Sequence, residues 1–227
     1  MNSQDKAIVY DDSCPMCQLY TQGFVRAGML KQENRIAFSC LPTLPVAHQI
    51  DMQRSRHEIP LIDMKGGKTL YGLDSLLYMI GSRMPLLARI GKFAPIYFFF
   101  TYFYAFISYN RRVIIQAPKT MHGFNCAPDF HVVYRLSFIA LGLACGVYYF
   151  GISWQYALYV ALAHYALPFL PKHQRTELLG QLAVSTFIGL LFLPLHFTVG
   201  VVAFLLSYGW RLSNSFQNLY VVMKNKL

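Results

Sequence analysis

Two cysteines three positions apart are the residues of this chain whose spacing most directly predicts chemistry. Cys14 and Cys17 belong to the run Asp-Asp-Ser-Cys-Pro-Met-Cys at residues 11–17, directly after the short apolar run at residues 7–10. On a helix, this spacing places both thiols on one face, so a disulfide between them can form and open with little backbone movement. The spacing therefore predicts a redox-active dithiol.

The neighbouring residues predict how the two thiols are positioned. If a strand ends near Tyr10 and a helix begins near Cys14, the first sulfur lies at a helix N-terminus, where unpaired N–H groups favour the thiolate. Pro15 fits the first helical turn because its missing N–H is not needed there. We therefore expect Cys14 to be the nucleophile, and Cys17, less exposed and further into the helix, to be the resolving thiol.

Other interpretations of the same residues remain open. Asp11 could accept a proton from the resolving thiol, or it could cap the turn before the helix. The cysteine pair could be half of a zinc site. A structural zinc ion needs four ligands, however, and the nearest candidates, Cys40, His48 and His57, do not form a second closely spaced pair. The pair could also be inert buried cysteines. We expect no metal and no cofactor.

The composition divides the 227-residue chain into a polar head and an apolar tail. Residues 1–92 carry 11 of the 20 Lys and Arg and 8 of the 10 acids, whereas Glu177 is the single acid after Phe130. We expect a redox domain at residues 1–92, an interfacial aromatic helix with a basic connector at 93–131, and a transmembrane helical domain at 132–227.

The head has the pattern of a small α/β domain. Residues 7–10 and 36–39 read as strands around a helix at 15–30, and residues 59–63 and 69–71 flank a glycine turn, followed by a helix after Gly72. This order is the minimal thioredoxin-like arrangement. In such folds the proline that opens the third strand is usually cis and faces the sulfurs, which predicts that Pro60 shapes the substrate groove; an ordinary trans proline is the alternative.

Three motifs together resemble a known family. They are Asp11-x-x-Cys14-x-x-Cys17 after a strand, the run Tyr-Gly-Leu-Asp-Ser-Leu at 71–76, and the segment from Tyr104 to Asn110-Arg111. Over about residues 6–112 the chain is similar to the DCC family of predicted thiol-disulfide oxidoreductases. The resemblance implies a thioredoxin-like redox domain and names no substrate. The aromatic stretch before Asn110 departs from the family pattern.

The tail carries three long apolar runs, at residues 132–151, 154–170 and 178–210. Because a span needs about 20 apolar residues, and Pro194 is expected to break the third run, we predict about four spans, with three as the alternative. The basic residues then place the head on the cytoplasmic side. The segment 93–109 is predicted to lie in the membrane interface as an aromatic helix.

Four further residues in the tail half carry side chains of chemical interest. His164 and His196 could face each other and ligate haem, although structural histidines are commoner. Cys126 could relay electrons to Cys14, whereas Cys145 is expected to pack as a small apolar residue.

The combined prediction is an α/β thioredoxin-like N-terminal domain followed by an all-α transmembrane bundle of about four spans. We expect a multi-pass cell-membrane protein, an enzyme whose Cys14 and Cys17 act on disulfides of nearby membrane proteins at the cytoplasmic face. Its expected partners are the lipid bilayer and such a protein substrate, and nucleic acid is not expected. The alternative is a redox-inactive thioredoxin-like binding module that helps to assemble a larger membrane complex.

Overall fold

The computed structural model describes residues 5–43, 45–116, 128–150, 172–192, 194–195 and 197–224. The chain divides into two compact units, Met1–Phe130 (unit 1) and His131–Leu227 (unit 2). Unit 1 contains the cysteine pair, and each unit is described by itself.

Unit 1 is built on a small mixed sheet with the strand order β2-β1-β3-β4. β1 pairs in parallel with β2 and antiparallel with β3, and β3 pairs antiparallel with β4. The strands are β1 (Lys6–Tyr10), β2 (Arg35–Ala37), β3 (Pro60–Asp63) and β4 (Leu70–Tyr71).

Helices make up most of the rest of unit 1. The α-helices are α1 (Pro15–Arg26), α2 (Met52–Ser55), α3 (Gly72–Arg83), α4 (Pro85–Gly91) and α5 (Ala94–Ile114), and short 3₁₀ turns lie at Gln32–Asn34, Phe38–Thr43 and Ala47–Gln49. α1 ends about four residues before the predicted end because Gly28 adopts a φ of 65°, a left-handed conformation that closes the helix.

The alternation of side chains along the central strands builds a core on each face of the sheet. Ala7 and Val9 of β1 point to one core, with Ile62 of β3 and the 3₁₀ residues Phe38 and Leu41. The other core receives residues from β1, α1, β3 and α3: Ile8, Phe24, Leu61 and Met79. This second core packs α1 against the sheet and so fixes the helix that carries the cysteines.

Almost all described residues of unit 2 are helical, and they form α6 (Val132–Phe150), α7 (Lys172–Phe192) and α8 (Phe197–Lys224). The predicted break at Pro194 is confirmed, because α7 ends at Phe192 and α8 begins at Phe197. The predicted apolar run 154–170 lies outside the described residues.

A line of mostly buried polar side chains, the polar ladder, joins the three described helices of unit 2. Arg135 of α6 approaches Glu177 of α7, with Nη1 and Oε2 separated by 3.3 Å. Gln181, which is fully buried, donates through Nε2 to Glu177 Oε1 at 3.0 Å and accepts from Arg211 Nη1 of α8 at 2.9 Å. Each helix therefore contributes at least one member to the ladder.

The predicted fold class, a thioredoxin-like domain followed by an all-α bundle of about four membrane spans, is wrong. The structure is mostly helical with a small four-stranded sheet, since β2 has three residues and β4 has two. No single described helix is long and apolar enough to cross a membrane, whereas α4 and α5 reach that length and hydropathy as a pair bent by 87°. Val132–Tyr148 in α6 and Thr176–Phe192 in α7 are shorter apolar helical segments among the described residues.

Candidate functional site: the thiol cluster of unit 1

The turn between β1 and α1 positions the first cysteine. β1 ends at Tyr10 and α1 begins at Pro15, so Cys14 is the N-cap residue, with extended backbone angles φ −98° and ψ 110°. The predicted strand-to-helix transition and the place of Pro15 in the first helical turn are confirmed. The Cys14 side chain therefore lies at the positive end of the α1 dipole.

Asp11 stabilises this turn through hydrogen bonds to the residues that follow it. Its Oδ1 accepts hydrogen bonds from the backbone N–H and the hydroxyl of Ser13, at 2.8 and 2.6 Å, and its backbone carbonyl accepts from the Cys14 N–H at 3.2 Å. Asp11 is also buried, with 2% of its surface exposed. These contacts are those of a residue that caps the turn; the predicted proton transfer by the same carboxyl group stays a prediction.

Cys14 and Cys17 are both reduced thiols and lie together in a small apolar cluster, the thiol cluster, with Tyr10, Met16 and Ile59. Only 4% of Cys14 and 3% of Cys17 is exposed, so the expected difference in exposure between them is absent. The structure thus brings the two predicted thiols together and shields both from solvent in this conformation.

Arg35 brings a positive charge to the thiol cluster. Its guanidinium carbon lies 3.9 Å from the centroid of the Tyr10 ring, and its Nε donates to the hydroxyl of Thr21 at 2.8 Å. Thr21 in turn donates to the carbonyl of Cys17 at 2.8 Å. Sequence reasoning missed this residue, although its position at the start of β2, beside β1, follows from the parallel pairing of the two strands.

Two tyrosine hydroxyl groups are buried next to Cys17. Burial raises the pKa of Tyr104 to about 12 and raises the pKa of Tyr20 well above its usual value, and the interaction with Cys17 contributes in the same direction. Tyr20 lies one turn after Cys17 on α1, whereas Tyr104 comes from α5. Both phenols are therefore neutral at physiological pH and add hydrogen-bonding capacity without charge.

One face of α5 hydrogen-bonds to the segment 56–59, whose last residue, Ile59, packs in the thiol cluster. The Tyr104 hydroxyl accepts the Ile59 N–H at 3.3 Å, the Ser108 hydroxyl donates to the His57 carbonyl, and Arg111 donates to the Arg56 carbonyl. The three residues of α5 are four and three positions apart, which is the spacing of a single helix face. The hydrogen bonds from α5 therefore fix the backbone at Ile59, whose side chain packs on the cysteines.

Pro60 follows Ile59 as the first residue of β3 and pairs with Tyr71 of β4. The predicted cis peptide bond before Pro60 is wrong, since the Ile59–Pro60 peptide is trans. Of Ile59 and Pro60, it is Ile59 that belongs to the thiol cluster. The predicted role of Pro60 in shaping a substrate groove stays a prediction.

The second motif, the run at residues 71–76, also contacts the segment 56–59. The Gly72 N–H donates to the Ile59 carbonyl at 3.2 Å, and Gly72 has a φ of 54°, which favours glycine. A Cβ atom at Gly72 would lie 2.9 Å from the Glu58 carboxylate. All three motifs noted in the sequence therefore meet around residues 56–60.

The described residues hold no group of three or more His, Cys, Asp or Glu side chains that could bind a metal ion. Cys126, His164 and His196, which the sequence singled out for electron relay or haem ligation, lie outside the described residues. Cys145 is half-buried in α6 of unit 2.

No protein-family model, no curated protein and no solved structure matches the chain. The three motifs and the geometry of the thiol cluster are therefore the basis for any functional conclusion.

Proposed function

We propose that the chain is a thiol-disulfide oxidoreductase in which Cys14 is the nucleophile and Cys17 the resolving thiol. The observation that carries the proposal is the packing of both thiols in one cluster, with Cys14 at the N-cap of α1. A helix N-terminus favours the thiolate, which is the attacking species in disulfide exchange. The similarity of the three motifs to the DCC family supports the same assignment.

The reaction is a pair of thiolate exchanges. The Cys14 thiolate attacks one sulfur of a substrate disulfide, forms a mixed disulfide and releases the first substrate sulfur as a thiolate. Cys17 loses its proton and attacks the Cys14 sulfur, which releases the second substrate thiolate and leaves a Cys14–Cys17 disulfide. The two released thiolates take up protons, and an external dithiol reductant must restore the enzyme.

The burial of both thiols sets a condition on this mechanism. Met16 and Ile59 are the partly exposed members of the thiol cluster in contact with the cysteines, together with Tyr10. A substrate disulfide must reach Cys14 in line with its sulfur, so the Met16 or Ile59 side chain has to move aside first. Since Met16 is an unbranched side chain with three rotatable bonds, it is the easier of the two to displace.

The burial of the pair favours one alternative, a binding module without redox turnover. In that case Cys14 and Cys17 are packing residues, and the neutral buried phenols beside them serve the same purpose. Inert buried cysteines are unreactive because an apolar environment disfavours the thiolate.

Trapping of the mixed disulfide tests the proposal. The full chain carrying Cys17→Ser is incubated with a disulfide-linked peptide, and intact mass with peptide mapping locates any adduct. We expect an adduct at Cys14, because the serine cannot resolve it, whereas the parent chain forms the Cys14–Cys17 disulfide and releases both peptide thiols. The variants are made in a Cys40→Ser background, because Cys40 is exposed and would compete for the peptide.

The control is Cys14→Ser, which should neither form the adduct nor consume the peptide. If Cys17→Ser collects no adduct at Cys14 while the protein is folded, the oxidoreductase assignment is wrong and the binding module is favoured.

A further inference from the structure

The helices α4 and α5 expose a continuous series of large apolar side chains. The most prominent members, each half exposed or more, form what we name the aromatic face: Leu86, Phe93, Phe98, Phe99, Tyr102 and Phe103. Two pairs in this set make ring contacts, Phe98 with Tyr102 and Phe99 with Phe103. Exposed apolar patches of this kind in folded proteins mark interaction surfaces.

The charged side chains of α4, α5 and the bend between them are all positive, and the carboxylate that contacts α5 near its start is Asp74 of α3, which accepts from the Tyr97 hydroxyl at 3.1 Å. The sequence from Ser75 to Pro128 contains no Asp or Glu. Arg89 and Lys92 are exposed at the bend between α4 and α5, and Arg83 is exposed at the end of α3. A second copy of the chain would bring these cations against each other, whereas anionic phosphate headgroups would complement them.

The opposite side of α5 limits how deeply the helix can enter a bilayer. Ser108, Asn110 and Arg111 are buried within unit 1, and Tyr104, Ser108 and Arg111 hydrogen-bond to the segment 56–59. Insertion of the whole helix into hydrocarbon would break these contacts and leave polar groups without partners. The helix is therefore suited to lie in the plane of an interface, with one face in lipid and the other on protein.

We propose that the aromatic face of α4 and α5 binds the surface of a lipid bilayer that contains anionic headgroups. The Phe and Tyr rings enter the boundary between headgroups and acyl chains, and Arg89 and Lys92 contact phosphate groups. The inference does not depend on the redox chemistry of Cys14 and Cys17. The proposed membrane contact is made by unit 1 alone.

The test places a reporter on the aromatic face and follows it in vesicles. The full chain with Phe99→Trp is mixed with vesicles of phosphatidylcholine, with or without phosphatidylglycerol, that carry bromine on their acyl chains. Quenching of the new tryptophan is obtained by subtracting the signal of the parent chain, whose two tryptophans are Trp154 and Trp210. We expect marked quenching, at least twofold stronger in the anionic vesicles.

Leu19→Trp is the matched control. Leu19 on α1 has 64% of its surface exposed, against 63% for Phe99, but it lies outside the aromatic face. We expect little quenching at this position. Reversal of the two cations, Arg89→Glu with Lys92→Glu, should remove most of the additional quenching in anionic vesicles, and Arg26→Glu on α1 should leave it unchanged.

Three results would overturn the proposal. The first is the absence of quenching of the tryptophan at position 99 in either kind of vesicle. The second is an emission that is already blue-shifted without lipid and depends on protein concentration, which would assign the face to a second copy. The third is equal quenching at positions 19 and 99, since that would show no preference for the aromatic face.

Discussion

The two units bury polar groups in opposite ways. In unit 2, Glu177, Gln181 and two arginines connect three helices through side-chain hydrogen bonds that run from Arg135 to Arg211. In unit 1, two thiols lie among apolar side chains, with neutral phenols beside them and the Arg35 guanidinium against the Tyr10 ring. The ladder connects helices through paired polar groups, whereas the thiol cluster places two thiols together among apolar groups. A buried polar atom can therefore be accommodated by a partner on another helix or by a neutral apolar environment.

The largest effect is expected in the polar ladder. Gln181→Leu removes the acceptor of Arg211 and the donor to Glu177, so we expect unit 2 to lose about 2–3 kcal/mol of stability. Both tryptophans, Trp154 and Trp210, belong to unit 2, so urea unfolding followed by tryptophan fluorescence reports this unit.

Gln181→Glu separates the two contacts, because a carboxylate still accepts from Arg211 but cannot donate to Glu177 and is repelled by its carboxylate. It should recover only part of the loss at neutral pH. A Gln181→Leu protein as stable as the parent would show that the ladder does not stabilise unit 2.

The next effect concerns the buried phenol of Tyr104 and depends on pH. The native pKa of about 12 lies above the value of about 10 in an unfolded chain, so the unfolded state loses its proton first as the pH rises. Unit 1 should therefore keep this stability below pH 10 and lose on the order of 2–3 kcal/mol as the pH rises from about 10 to about 12.

Tyr104→Phe removes that part of the alkaline loss, at the expense of about 1 kcal/mol at neutral pH because the Ile59 N–H loses its acceptor. Urea unfolding at pH 9 and pH 11.5, followed by near-ultraviolet circular dichroism, measures both the alkaline loss of stability and the loss caused by the substitution. Equal alkaline losses in the two proteins would contradict the burial of this hydroxyl group.

A smaller effect is expected at Arg35. Arg35→Leu removes the cation from the Tyr10 ring and the donor to Thr21, so we expect a loss of about 1 kcal/mol. Alkylation of Cys14 by iodoacetamide at pH 7 should also become several times slower, because a nearby cation favours the thiolate.

Arg35→Lys keeps the charge and should retain most of the alkylation rate while losing stability. If Cys14 in Arg35→Leu is alkylated at the same rate as in the parent, Arg35 contributes to packing and does not favour the Cys14 thiolate.

The smallest effect is expected at Asp11. Asp11→Asn keeps an oxygen that accepts from Ser13, so we expect a change in stability below about 0.5 kcal/mol and a disulfide-exchange rate within about twofold of the parent. A rate at least tenfold lower, with stability unchanged, would assign proton transfer to the carboxyl group. Asp11→Ala, which lacks any acceptor, should cost about 1 kcal/mol.

The local parts of the site could be predicted from the sequence, because they depend on neighbouring residues. The strand before Cys14, the helix that starts at Pro15 and the break at Pro194 each follow from short-range rules on proline and helix ends. The contacts of Tyr104, Ser108 and Arg111 could not be predicted. The first half of α5 is aromatic on most of its surface, so hydropathy does not reveal which face meets the protein.

The number of membrane spans could not be predicted either, and the cause is different. A run of apolar residues does not mark where a helix begins and ends. α7 instead begins at Lys172, inside a polar stretch, and ladder members such as Gln181 and Arg211 interrupt the apolar character of the two last helices. The sequence shows that Gln181 and Arg211 are polar, but not that they pair across two helices, which is what allows both to be buried.

The three hydrogen bonds between α5 and the segment 56–59 also have a mechanical consequence. Ser108 lies 14 residues from Ala94, about 21 Å at the helical rise, whereas Tyr104 lies about 6 Å from Ser108. A tilt of about 10° around Ser108, which the Tyr97–Asp74 hydrogen bond near the start of α5 opposes, would move Ala94 by about 4 Å and Tyr104 by about 1 Å. A displacement of the start of α5 would therefore reach the residues over the sulfur atoms reduced about fourfold.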